Sequence, residues 1–218
     1  FPKQQLPRIN GFQMAAGGLG ALAATSPVEA ALTVTDWRGV FTLLAVLTVL
    51  VAAVIFFVVP ERRNQTKDEP FAHQMREMGT ILTSLNFWRI APWATLSQGT
   101  YLAVHGLWAG PWLRDVAGYD RSEVAGTLLL LAVAMVLGFV VLGTAAERLS
   151  RRGISTMAVA AMGMGFFMAV MSLIVWGPES GATLIWMLFG FFGTSGILPY
   201  AALSQSFPLH LSGRVNTT

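Results

Sequence analysis

A stripe of polar and aromatic side chains with helical spacing is the first feature of this chain that could do chemistry. At about 100° per residue, spacings of three, four, three and four residues place its members on an arc of roughly 80°. Aromatic rings stack on organic solutes, and amide or imidazole groups fix their polar atoms. The stripe predicts a solute-binding surface, and interhelical packing without solute is the alternative. Its members are Gln98, Tyr101, His105, Trp108 and Trp112.

His105 is the only ionisable side chain placed well inside an apolar run of the sequence. Such a residue is a functional candidate because a charge is costly within a membrane. Imidazole can bind a solute or carry a proton near neutral pH. A neutral histidine that is hydrogen-bonded to a neighbouring helix is the alternative interpretation.

The last apolar run of the chain carries a second polar set around Pro199. We expect Tyr200 and Gln205 to join the solute-binding surface, and Pro199 to act as a hinge. For Thr194, Ser195 and Ser204, plain packing between helices is favoured.

A dense group of charges, Glu147-Arg148-Leu149-Ser150-Arg151-Arg152, separates two long apolar runs. An acid near the C-terminal end of a helix is unfavourable unless a cation holds it. Arg148, Arg151 or Arg152 can supply that cation. We therefore predict an ion pair between Glu147 and one of these arginines.

The composition excludes several classes of protein. Hydrophobic residues make up 54% of the chain and charged residues only 11%, which is typical of membrane proteins. Cysteine is absent, and no paired carboxylates, phosphate loop or metal-ligand cluster occurs in the sequence. The sequence thus predicts neither an enzyme nor a cofactor or metal site. The basic residues cluster in short loops, which indicates membrane topology rather than nucleic-acid binding.

The elements that must position these residues are six apolar runs, each about twenty residues or longer, the length needed to cross a bilayer. The sequence predicts an all-α polytopic membrane protein. The predicted spans are Phe12 to Val34, Trp37 to Val59, Trp88 to Leu113, Val124 to Ala145, Ile154 to Trp176 and Ala182 to Phe207.

An even number of spans puts both ends of the chain on one side, and eleven of the fourteen Lys and Arg residues fall on that side. The positive-inside rule makes it the cytoplasmic side. We expect an integral protein of a bacterial inner (cell) membrane, in contact with lipid.

The long connection after the second span contains the run from Glu61 to Pro70, in which nine of the ten residues are polar. Beyond it, Phe71, Met75, Met78, Leu82 and Leu85 recur at helical spacing, which predicts an amphipathic helix on the inner membrane surface. A partly ordered linker is the alternative. The predicted organisation is two spans in residues 1–60, a cytoplasmic linker in 61–87 and four spans in 88–218.

The charged segment is similar to a family signature. Gly143-x-x-x-Glu147-Arg148-x-Ser150-Arg151-Arg152 resembles the Gly-x-x-x-Asp-Arg/Lys-x-Gly-Arg/Lys-Arg/Lys loop of the major facilitator superfamily, with Glu147 and Ser150 as departures. Asp36-Trp37-Arg38-Gly39-Val40-Phe41 resembles the start of that family's sixth helix, and Pro60-Glu61-Arg62-Arg63 resembles its end.

The resemblance implies that the chain is a fragment carrying the fifth to tenth helices of a twelve-helix transporter. It implies secondary active transport of a small organic solute by alternating access, with or without a coupled proton. It also implies that the charged segment is a latch that holds one conformational state, made of Gly143, Glu147, Arg148, Arg151 and Arg152. A drug/proton antiporter is one alternative, although Ser26 rather than Gly precedes Pro27. A transport-inactive sensor or scaffold with the same fold is the other. The sequence does not indicate an oligomeric state.

Overall fold

The computed structural model describes residues 3–23, 26–60, 71–176, 181–208, 211 and 215. Every regular secondary-structure element in these ranges is a helix or a helical turn. The α-helices are α1 (Leu6–Ala23), α2 (Ser26–Leu32), α3 (Trp37–Val58), α4 (Phe71–Leu82), α5 (Leu85–Ala103), α6 (Ala109–Asp115), α7 (Arg121–Arg151), α8 (Thr156–Trp176), α9 (Ala182–Gly193) and α10 (Leu198–Ser206). Lys3–Gln5 and Thr194–Ile197 are 3₁₀ turns, and Val104–Trp108 is a π-helical turn that joins α5 to α6.

Four helical runs in the described residues are long and apolar enough to cross a membrane: Trp37–Val58, Arg121–Arg151, Thr156–Trp176 and Ala182–Ser206. They correspond to the second, fourth, fifth and sixth predicted spans. The first predicted span is divided between α1 and α2, and the third is divided by the π turn between α5 and α6. Crossing by these two segments stays a prediction.

Helix α7 is longer than its predicted span at both ends. At its start, the Asp120 side chain accepts a hydrogen bond from the Glu123 N–H, and the Glu123 side chain accepts one from the Asp120 N–H. This capping box satisfies backbone donors that the first turn leaves free. At its other end the helix continues through the charged segment to Arg151. Apolar composition therefore marks only the central part of the helix.

Helix α3 begins where Asp36 accepts a hydrogen bond from the N–H of Gly39. Its 22 residues are almost entirely apolar, yet only Val40 is buried in the structure. A helix that is apolar on every side requires an apolar environment on every side. The hydrocarbon layer of a membrane is such an environment.

The 3₁₀ turn Thr194–Ile197 lies at the centre of the packed helices and is buried along its whole length. Glycines let neighbouring helices approach it closely. Added Cβ atoms on Gly138 of α7 and Gly163 of α8 would lie 2.6 Å from Thr194 Oγ1 and 2.5 Å from Ser195 Cβ. The α9–α10 segment is thus the element around which α5, α7 and α8 pack.

Helix α4 forms over the segment in which the sequence predicts an amphipathic helix. Ile81 is fully buried in an apolar cluster with Phe87 and Ile90 of α5 and Leu203 of α10. Met75, Met78 and Leu82 remain exposed. Residues 61–70 of the predicted linker lie outside the described residues, and α5 begins at Leu85, before the predicted end of the linker.

Candidate functional site

Glu147 is a buried acid held by two cations. Its side chain is only 4% exposed. Arg8, in the first turn of α1, places a guanidinium nitrogen 3.2 Å from Glu147 Oε2. Arg151, one turn further along α7, donates a hydrogen bond of 2.7 Å to Oε1. Each carboxylate oxygen therefore has its own cation, the pairing that makes a buried charge tolerable.

The antiparallel contact between α1 and α7, termed the α1–α7 seam, brings Arg8 to Glu147. At Gly11, an added Cβ would clash with the carbonyl oxygen of Phe139. At Gly143, an added Cβ would lie 2.8 Å from the Pro7 carbonyl oxygen and 3.3 Å from Gly11 Cα. Only residues without a side chain permit this approach. Gly143, predicted as part of the latch, fixes the backbone spacing across which the ion pair forms.

The three predicted latch arginines have different surroundings. Arg151 pairs with Glu147, whereas Arg152 is exposed at the C-terminal cap of α7. Arg148 lines a cavity of about 140 Å³ at the end of the seam, together with Arg8, Thr144, Glu147 and Arg151. Within the part of the chain that the structure describes, Arg148 has no ion pair of its own.

Sequence reasoning missed Arg8 as a latch residue. It counted Arg8 only as a cytoplasmic charge. The available signal was an arginine three residues before Gly11 in a helix rich in Gly and Ala, because such helices pack closely on neighbours. The partner of that helix is more than 130 residues away in the chain, and spacing along the sequence does not reveal it.

The predicted solute-binding stripe begins on α5. Tyr101 is 3% exposed, and its ring lies against Phe189, with centroids 5.3 Å apart. His105 stacks on Tyr101 at 5.8 Å and is half-buried, as is Gln98. An added Cβ on Gly196 would lie 3.4 Å from the Gln98 side-chain carbonyl oxygen. Gln98 and Tyr101 thus share the side of α5 that faces the α9–α10 segment, and His105, in the π turn, contacts Tyr101.

The π turn changes the direction in which the stripe residues after Ala103 project from the helix. The Ala109 N–H donates to the carbonyl of Val104, five residues earlier. A π turn adds one residue to a helical turn, so later side chains are rotated from the positions of a straight α-helix. Trp108 is 64% exposed, while Trp112 packs edge-on against the buried Trp186 of α9 at 5.7 Å. The expectation of one continuous face therefore does not hold beyond Ala103.

The two predicted residues of α10 lie apart from each other. Tyr200 is half-buried and packs against the aromatic cluster that contains Tyr101 and Phe189. Gln205 lies a turn and a half further along, where its Oε1 accepts a hydrogen bond of 3.1 Å from Thr156 Oγ1 of α8. The structure thus brings Tyr200, but not Gln205, toward the Tyr101 cluster. Thr156 begins α8, so this bond ties the ends of two helices.

Three buried polar atoms in the described residues have no hydrogen-bond partner: Tyr101 Oη, Trp186 Nε1 and Ser195 Oγ. An unpartnered buried donor costs about 1–3 kcal/mol. Such atoms are expected where a second conformation, a water molecule or a ligand supplies the partner. Tyr101 is the one that also belongs to the predicted stripe.

A second cavity, of about 340 Å³, lies between α5 and α8. Its walls are apolar except for the hydroxyl groups of Ser97 and Thr100. None of the predicted binding residues lines it. The larger cavity therefore differs from the candidate site around Tyr101. Within the described residues, no three His, Cys, Asp or Glu side chains lie together as metal ligands.

Sequence comparison adds a family to this geometry. The chain is 26% identical over 170 residues to the Escherichia coli (strain K12) protein named "Putative transporter AraJ". The match covers 78% of this chain and 40% of that protein, so the matched part of the chain spans less than half the length of the relative. No solved structure matches the chain significantly. The family model described as Major Facilitator Superfamily matches residues 1–218. The chain belongs to the Major Facilitator Superfamily.

Proposed function

We propose that this chain is part of a secondary active transporter that moves a small organic solute by alternating access. Family membership supports a transporter in general terms. The carrying observation is that buried Glu147 joins Arg8 of α1 to Arg151 of α7. On the organisation predicted from the sequence, α1 belongs to one half of the transporter and α7 to the other. An ion pair between rocking halves is a contact that can form in one state and break in the next.

The position of the ion pair determines the state that it favours. Arg8 lies at the start of α1 and Glu147 near the end of α7, both at the ends that the charge distribution assigns to the cytoplasm. The seam at Gly11 and Gly143 is closed in the same region. We infer that the latch stabilises the state in which the cytoplasmic side is closed.

The solute-binding surface in this proposal consists of Gln98, Tyr101, His105 and Tyr200. It lies where α5 ends in a π turn and α9 ends in a 3₁₀ turn. Interrupted helices of this kind line the binding sites of many transporters, because their free backbone groups and mobile halves serve binding and gating. Tyr101 contacts Gly193 directly and has an unpartnered hydroxyl. Trp108 extends the surface beyond the π turn. Gln205, which the sequence also predicts as a binding residue, is left out of the proposed surface because it is bonded to Thr156, away from the Tyr101 cluster.

Proton coupling through His105 is the finer part of the proposal. The imidazole is half-buried and stacked on Tyr101. A proton carried there would couple solute binding to the proton gradient across a bacterial inner membrane. Symport and the cytoplasmic location of both chain ends belong to the same proposal.

The test is uptake of labelled organic anions, amino acids and sugars by proteoliposomes that contain the intact protein, with and without an imposed proton gradient. Gradient-dependent uptake that His105→Ala abolishes and Glu147→Gln alters supports the proposal. Correct insertion with no uptake of any solute would favour a sensor or scaffold. Uptake of cationic drugs that is driven by protons leaving the vesicles would favour an antiporter.

A further inference from the structure

The cavity at the cytoplasmic end of the α1–α7 seam, termed the arginine cavity, is unusually cationic for its size. Its walls carry three guanidinium groups, from Arg8, Arg148 and Arg151, and one carboxylate, from Glu147. Three positive charges and one negative charge leave a net of two positive charges. Its volume of about 140 Å³ is far more than the ~10–15 Å³ that one water molecule needs.

The pairing within the cavity leaves one cation available. Arg8 and Arg151 each contact one oxygen of Glu147, so the acid is satisfied on both sides. Arg148 has no ion pair among the described residues, lines the cavity and is exposed. The side chains of Arg8 and Arg151 remain about half exposed. All three guanidinium groups therefore keep donors for a second anion.

The length of α7 places this cavity at the headgroup level of the membrane. Its 31 residues, at about 1.5 Å each, extend roughly 46 Å. The hydrocarbon layer is only about 30 Å thick. The last turn of α7, which holds Arg148 and Arg151, therefore projects into the headgroup region. The lipid phosphates of the inner leaflet lie there.

We propose that the arginine cavity binds the phosphate of an anionic phospholipid headgroup, and that the bound phosphate joins Arg148 to Arg8 across the α1–α7 seam. Guanidinium groups match phosphate oxygens with paired N–H donors. Basic pockets between membrane helices on the cytoplasmic side are suited to such headgroups. The end of α7 has a partial negative charge, so the arginines rather than the helix dipole hold the anion.

The test measures lipid binding by the intact protein in detergent, by native mass spectrometry with phosphatidylglycerol or phosphatidylcholine added. We expect the wild type to retain phosphatidylglycerol selectively. Arg148→Gln should weaken that retention about tenfold or more, the scale of one charge-assisted hydrogen bond. Arg152→Gln is the matched control, because it removes the same charge from the same helix end outside the cavity.

Equal retention by Arg148→Gln and Arg152→Gln, or no preference for phosphatidylglycerol, would overturn the proposal. Inorganic phosphate tests the source of the anion. If inorganic phosphate displaces phosphatidylglycerol and raises the unfolding temperature of the protein as much as the lipid does, the site belongs to a soluble anion and the lipid assignment is wrong. Because Arg148 is exposed, thermal unfolding without lipid should be unchanged in its variant. Because the experiment measures lipid binding and not transport, its result can be distinguished from success or failure of the proposed transport function.

Discussion

Arg8 and Glu147 form an ion pair of 3.2 Å between residues that are separated by most of the chain. The pair lies beside Gly11 and Gly143, where the backbones of α1 and α7 are in close contact. Close backbone packing keeps water away from the carboxylate, and the two cations replace the hydration that the carboxylate loses. The ion pair and the glycines therefore depend on each other. Opening the seam would expose Glu147, and neutralising Glu147 would weaken the seam.

We predict that Glu147→Gln shifts the conformational equilibrium toward the state with an open cytoplasmic side. The substitution removes two charge-assisted contacts, each worth about 1.5–3 kcal/mol, although the exposed arginines recover hydration. A shift of tenfold or more, about 1.4 kcal/mol, is expected. The chain has no cysteine, so Thr144→Cys in the cavity can report opening through its labelling rate with an impermeant maleimide.

Asp115→Asn is the control for this experiment, because Asp115, at the end of α6, is an exposed acid that pairs with its neighbour Arg114 and not across the α1–α7 seam. It should leave the labelling of Cys at position 144 unchanged. Slower or equal labelling in Glu147→Gln would remove the latch role from Glu147. Arg8→Gln should reproduce the effect in part, since Arg151 still holds the acid.

A second prediction concerns the backbone contact itself. Gly11→Ala places a methyl group against the carbonyl oxygen of Phe139, whereas Gly17→Ala in the same helix meets nothing within 4 Å. Both substitutions gain about 1 kcal/mol of helix propensity, so their difference isolates the seam. We expect Gly11→Ala to lower the unfolding temperature and to increase labelling at position 144, and Gly17→Ala to do neither. Equal unfolding temperatures and labelling rates in the two variants would show that α1 and α7 can move apart to accommodate the methyl group, and the prediction would be wrong.

The latch illustrates which parts of the site the sequence could predict. The order of charges identified Glu147 and its neighbours, because an acid at a helix C-terminus requires a cation within a turn or two. Arg151 satisfies that requirement at a spacing of four residues. Arg8 could not be found in this way, since its distance from Glu147 is set by the packing of two helices. Local spacing predicts local partners, and tertiary contacts supply the rest.

The spans and the stripe show a similar division. Apolar length identified α3, α7, α8 and the α9–α10 segment as helices long and apolar enough to cross a membrane, because the hydrocarbon thickness sets that length. The prediction of the stripe used the angle per residue of a uniform α-helix, and it therefore placed Trp108 on the same face as Tyr101. A single π turn changes that angle. Nothing in the composition of Val104 to Trp108 indicates a π turn, since packing against neighbouring helices decides where one forms.

We predict that Tyr101→Phe weakens transport without weakening the fold. The substitution keeps the ring contacts with Phe189 and His105 and removes a hydroxyl that has no partner. Removing an unsatisfied buried hydroxyl should leave the free energy of unfolding unchanged or raise it by about 1 kcal/mol. If the hydroxyl binds solute, KM for uptake should rise about tenfold. Uptake kinetics and thermal unfolding of the same preparations provide the measurement.

Tyr119→Phe is the matched control for this change. Its hydroxyl shares a hydrogen bond of 3.1 Å with Thr183, so its loss should lower stability by about 1 kcal/mol and leave KM unchanged. The opposite assignment of effects, with KM altered by Tyr119→Phe and unaltered by Tyr101→Phe, would move the solute-binding surface away from Tyr101.

The last prediction concerns the π turn. Deleting Gly106, which is exposed and has nothing within 4 Å of an added Cβ, removes the extra residue and allows a continuous α-helix. Tyr101 and Trp112 should then keep their contacts with Phe189 and Trp186, so the protein should fold. Because the side chains of His105 and Trp108 would then project in different directions from the helix, uptake should fall about tenfold or more, the effect of losing one contact with solute.

Deleting Gly99 from the regular part of α5 is the comparison, because it rotates every later side chain by about 100° and should break the Trp112–Trp186 contact. Thermal unfolding and uptake separate the two cases. A stable protein with normal uptake after Gly106 deletion would show that the π turn has no part in transport. An unstable protein would show that the turn is required for packing, because α6 reaches α9 only through it.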